Sequence, residues 1–73
     1  MTDLDPAWLL ERVSMDVERL MRDGELSRSA VAARLREDGC AIDRQWIGEL
    51  IEGRLAAEDV QLAGVYVALR KRS

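Results

Sequence analysis

Few residues in this chain can do chemistry. Histidine does not occur among its 73 residues and Cys40 is its one cysteine, which removes an intrachain disulfide, a His/Cys zinc centre and every nucleophile–histidine arrangement. No cofactor and no metal are expected. Two groups of carboxylates, Glu11, Asp16 and Glu18 in one and Glu49 and Glu52 in the other, resemble acid/base pairs only in spacing. Both alternate with arginines on faces that read as solvated, and a chain this short offers no cleft to desolvate them. An enzyme is therefore not expected. What remains is arginine, which supplies ten of the eleven basic residues. With the abundance of alanine, that bias also reads as the codon usage of a GC-rich bacterial or phage genome.

Net charge is −3, a total that argues against nucleic acid, because phosphate contacts supply most non-specific affinity. Its distribution qualifies that. Residues 1–26 hold seven acids against three arginines, residues 27–54 hold five of each sign, and residues 55–73 carry Arg70, Lys71 and Arg72 against Glu58 and Asp59. The acidity sits at the front. The same front lacks the basic and apolar stretches of a secretory signal, and no run approaches the roughly 18 apolar residues of a membrane span. A cytoplasmic protein with no membrane partner is the expectation.

The elements that position the arginines follow from caps and periodicity. Asp5-Pro6 is a helix start, with a side chain to cap free amides and a proline where no N–H is needed. Leu10, Val13, Val17, Leu20 and Met21 recur at intervals of three and four and define one buried stripe up to Gly24. Trp8 and Leu9 are left over from that stripe and are read as a dimer or partner surface. Ser27 or Ser29 can cap a second helix with Val31, Ala32 and Leu35 inside, ending at Gly39. After Cys40-Ala41-Ile42, Asp43 can cap a third, with Trp46, Ile47, Leu50 and Ile51 on one face and Gly53 at its end.

Residues 56–72 read two ways. As a helix they carry Glu58 and Asp59 near the start and Arg70, Lys71 and Arg72 at the end, both favourable to the macrodipole, with Leu62, Val65, Tyr66 and Leu69 on one face. As strands, Val65-Tyr66-Val67 favours β structure and Gly64 offers a break. The first reading makes residues 1–73 one all-α, four-helix domain of helix-turn-helix type. The second makes it a winged helix, with residues 54–57 and 65–70 pairing as a C-terminal hairpin.

A capped short helix, a glycine-containing connection and a second capped helix are the parts of a helix-turn-helix. Leu26-Ser27-Arg28-Ser29-Ala30-Val31-Ala32-Ala33-Arg34-Leu35 resembles the start of that unit in the Cro/Xre repressor family, where a small residue at the position of Ala32 permits close helix crossing. Ile47-Gly48-Glu49-Leu50-Ile51-Glu52-Gly53-Arg54 is similar to the end of the family's recognition helix, and Leu62, Val65, Tyr66 and Leu69 match the spacing of its following helix. The resemblance spans about residues 10–70. Residues 39–43 depart from it by about one helical turn, as in a longer-turn variant of some actinobacterial regulators. Asp43, Glu49 and Glu52 depart from it in charge, since carboxylates on a reading helix repel the duplex.

The resemblance implies a DNA-binding transcriptional regulator that acts as a homodimer on double-stranded DNA. Arg44 and Gln45 would then read base edges, arginine pairing with guanine and glutamine with adenine, and Glu49 would accept from a cytosine amine. Ser27, Arg28, Arg34 and Arg54 would contact phosphates, with Arg70, Lys71 and Arg72 adding to them. A plainer reading stands beside each: solvated charges for Arg28, Arg34 and Arg44, core for Trp46 and Ile47, a helix-end complement for residues 70–72, and a small buried hydrophobe for Cys40. The competing function is an acidic helical interaction module, a phage-encoded inhibitor or adaptor subunit, whose front engages a protein with a basic surface and which binds no DNA.

Overall fold

A computed structural model describes residues 5–71. Four helices follow in chain order, α1 Pro6–Gly24, α2 Arg28–Glu37, α3 Arg44–Ile51 and α4 Gln61–Lys71. Among the described residues there is no strand, so the fold is an all-α four-helix domain and the winged-helix alternative is corrected. Residues 54–57 run without regular structure into a turn, and 65–70 lie inside α4. Burial decided that contest: Leu62, Val65, Ala68 and Leu69 recur at helical spacing and are all buried, which outweighs the local β preference of Val65-Tyr66-Val67. Met1–Leu4, at the acidic front, and Arg72 lie outside the described residues.

The starts of α1, α2 and α3 are capped as their sequences require. Asp5 Oδ1 accepts from the Ala7 N–H at 2.9 Å with Pro6 in the first turn, Ser27 Oγ accepts from Ala30 N–H at 3.1 Å, and Asp43 Oδ1 accepts from Trp46 N–H at 2.9 Å. Each such cap is worth about 1 kcal/mol. Gly39 (φ 93°) and Gly53 (φ 75°) supply the left-handed residues after α2 and α3. At the end of α1 that duty falls on Glu25, at φ 51°, whose N–H bonds back to Arg22 O and Met21 O. Gly24 precedes it inside the helix, where a Cβ would lie 3.3 Å from Leu26 Cγ.

α1 is the spine of the domain and packs against the other three helices, while α2 packs on α3 and α4. Val13 and Val17 of α1 meet Val31, Ala32 and Leu35 of α2 and Ile47 and Leu50 of α3 in one core closed by α4. Ile42 and Leu55, from the connections, are buried in it as well. Leu9 also belongs to this core, with 8% of its surface exposed, so it is not left over for a partner. The buried stripe of α1 starts one residue earlier than its periodicity suggests, and Leu10, Leu20 and Met21 are only half-buried at its edges. Trp8 does stay outside, 43% exposed.

α4 starts later than expected, at Gln61 rather than near Ala56. The preceding residues form a turn in which Asp59 N–H bonds to Ala56 O at 3.1 Å. Asp59 Oδ1 then accepts both the Gln61 N–H at 2.8 Å and the Trp46 indole N–H at 3.2 Å. That double acceptance places the helix start.

Candidate nucleic-acid interface

The first turn of α3 presents Arg44 and Gln45 to solvent, while the next two residues, Trp46 and Ile47, are buried. One hundred degrees per residue forces that split once the indole faces the core. Trp46 and Ile47 are therefore core residues. Gln45 Nε2 lies 3.5 Å from Glu49 Oε2, one turn on, which orients the amide along the helix. Glu49 itself is half-buried.

Beside this turn lies an open depression of about 370 Å³, rimmed by Arg28, Arg44 and Arg54 and by the carboxylates of Asp43 and Glu52. Arg28 is the first residue of α2 and Arg44 the first of α3, so two helix N-termini contribute their positive ends to one place. Asp43 already occupies the amides of α3, whereas α2 is capped by the neutral Ser27. The end better able to receive a phosphate is thus that of α2. Ser27 is exposed there, its Oγ accepting within the cap.

Glu52 binds the two flanking arginines together. Its Oε2 accepts from Arg28 Nη1 at 3.1 Å and its Oε1 from Arg54 Nη2 at 2.6 Å. The Arg28 bond chiefly, and the Arg54 bond next, hold the Glu52 carboxyl below the ordinary glutamate range. All three side chains are well exposed, so the pairs are exchangeable and worth little in stability. Gly48 forms the floor: a Cβ there would lie 3.0 Å from Arg28 Nη1. The guanidinium therefore packs over a glycine that leaves it room.

Of the residues expected to touch DNA, Arg28, Arg44, Gln45 and Arg54 converge on this depression. Arg34 does not: it is exposed on α2, six residues beyond Arg28, or about 9 Å along the helix. Arg70 belongs elsewhere, in a groove between α1 and α4 with Arg12 and Arg19; its guanidinium stands 5.5 Å from the Tyr66 ring centroid. Three contributors escaped sequence reasoning. The bridge from Glu52 to Arg28 spans 24 residues and leaves no local trace. Arg36 Nη1 braces the α2–α3 connection by bonding to Ile42 O at 3.3 Å. Gly48, a helix-weakening residue in mid-helix, was the visible signal of the third.

Cys40 is half-buried, with Sγ 3.8 Å from Gly64 O. Burial, and then the Asp38 carboxylate, push its thiol up, which makes it a poor nucleophile at neutral pH. Among the described residues no helix is long and apolar enough to cross a membrane.

Fold and surface together define a small four-helix domain that presents arginines and an amide at the start of one helix. The chain matches no protein-family model, no curated protein and no solved structure.

Proposed function

We propose that the chain is a small DNA-binding regulator in which α2 and α3 act as a helix-turn-helix, α3 enters the major groove, and two copies bind a two-fold symmetric site. The observation that carries this reading is the exposed pair Arg44 and Gln45 on the first turn of α3, next to a depression where three guanidiniums outnumber two carboxylates. Arg44 reads guanine and Gln45 adenine, each good paired contact being worth about 1–3 kcal/mol of discrimination. Glu49 accepts from a cytosine amine. Arg28, Arg54 and Ser27 hold phosphates at the N-terminus of α2, and Arg34 adds a further phosphate contact along the same helix. Glu52 competes with a phosphate for Arg28 and Arg54, but its bonds to them are exposed pairs that exchange readily. Transcriptional control in the cytoplasm is the role that fits.

The same Glu52 favours a second reading, because a carboxylate that ties up two of the three arginines suits a surface that never meets DNA. In that case the acidic front docks on a basic protein partner. Duplex DNA at about 50 mM salt, where phosphate attraction is strong, separates the two. A salt-sensitive shift supports the regulator, and no shift at that salt leaves the interaction module.

A further inference from the structure

Between α1 and the end of α4 runs a groove of about 380 Å³, the size of a small-molecule site. It shares no lining residue with the depression at α2 and α3. Arg12, Asp16, Arg19 and Leu20 follow one another at helical spacing and so project from one side of α1, while Leu69 and Arg70 close the groove from α4. Leu69 is buried and Leu20 half-buried against the core. The floor is therefore apolar and the rim charged.

The charges on that rim do not cancel. Asp16 Oδ2 lies 3.4 Å from Arg12 Nε, and Asp23, the other lining carboxylate, lies 3.6 Å from the Nε of Arg22, which is not part of the groove. Among the described residues no carboxylate pairs with Arg19 or Arg70. Arg70 is held by a neutral group instead: its Nη1 donates to Tyr66 Oη at 3.3 Å and its guanidinium stands 5.5 Å from the ring centroid. Tyr66 is braced in turn by Trp8, edge-on with ring centroids 5.9 Å apart. That chain of contacts fixes the position of Arg70 without neutralising it. The negative ends of α1 and α4 have basic residues nearer to them, Arg22 and Lys71, so Arg19 and Arg70 are not needed as dipole complements.

We infer that this groove binds a small organic carboxylate with an apolar tail. The carboxylate sits between Arg19 and Arg70, one guanidinium from each helix, and the tail covers Leu20 and Leu69. An inorganic anion leaves that floor wet, and an uncharged apolar molecule leaves both guanidiniums without a counter-ion.

This site is independent of DNA binding, and its test uses no DNA. Octanoate is titrated into the full chain while nuclear magnetic resonance follows the methyl groups of Leu20 and Leu69 and the Nε–H groups of Arg19 and Arg70. Saturable shifts at these groups are expected, with a dissociation constant on the order of 1 mM for so small a probe. Octanol and inorganic phosphate each carry half of the recognition and should bind about tenfold more weakly or less. Arg19→Gln with Arg70→Gln is expected to raise the octanoate dissociation constant about tenfold, with circular dichroism showing that the helices persist. No saturable shift up to about 10 mM octanoate, well above the expected constant, overturns the inference. So do shifts centred outside the groove, equal affinity for octanol or for phosphate, or a folded double variant that binds like the parent.

Discussion

The indole N–H of Trp46 bonds to Asp59 Oδ1 at 3.2 Å, across 13 residues of chain. That bond fixes the rotation of α3 about its own axis, because a tryptophan held inward leaves Arg44 and Gln45 outward. The same oxygen accepts from the Gln61 N–H at 2.8 Å and so also starts α4.

Asp59→Ala removes both bonds and is expected to destabilise the fold by about 1–2 kcal/mol. Trp46→Phe removes the indole bond together with part of a buried ring, so the share of its loss that belongs to the bond should vanish in the Asp59→Ala background while the packing share remains. Chemical denaturation of the two single variants and the double variant checks this. Simple additivity would mean the bond is not formed.

Glu25 holds a left-handed conformation, φ 51°, that glycine adopts without strain. Glu25→Gly should therefore raise stability by about 0.5–1 kcal/mol despite the added freedom of the unfolded chain. A lower melting temperature than the parent would contradict the account of the α1 terminus.

Asp5-Pro6, Ser27 and Asp43 make three helix starts legible in the sequence, because a cap acts within three residues of itself. The exposure of Arg44 and Gln45 follows once Trp46 is assigned to the core, whereas residues 56–72 read as either helix or hairpin until the burial of Leu62, Val65, Ala68 and Leu69 decides for the helix. Leu9 and Leu10 are harder: adjacent residues compete for one stripe, and it is Leu9 that is buried while Leu10 stays half-buried at its edge. The start of α4 was hidden because its cap, Asp59, shares its carboxylate with a tryptophan 13 residues away. Arg28 and Arg54 were legible as basic residues, but not as the two arms of a bridge through Glu52, which forms only when α2 folds back on α3.

The depressed pKa of Glu52 has a sign that can be checked. A carboxyl whose folded value lies below its unfolded value adds stability above the unfolded value and loses it as pH falls through the folded one. The parent and Glu52→Gln are expected to melt together below that acid range, with the parent the more stable at neutral pH. On DNA the order reverses: Glu52→Gln releases Arg28 and Arg54 and should bind duplex more tightly at about 50 mM salt. Equal melting at every pH would show that the two bridges add nothing to stability in solution.

Gly48→Ala tests the floor of the depression. Alanine in mid-helix gains up to about 1 kcal/mol over glycine, and the atom its Cβ meets at 3.0 Å is the far end of the Arg28 side chain, which can move. Stability should rise while DNA affinity falls, a combination that thermal melting and binding measured on the same sample reveal. A fall in both would place rigid structure at that contact instead.

The most direct test of the account is selection of duplexes from a random pool at about 50 mM salt by the parent, Arg44→Ala and Arg34→Ala. The account predicts that the parent enriches a defined sequence, that Arg44→Ala still binds but loses preference at the base pair it reads, and that Arg34→Ala weakens binding evenly across sequences. No enrichment by the parent, or the same sequence-blind loss from both variants, would contradict it.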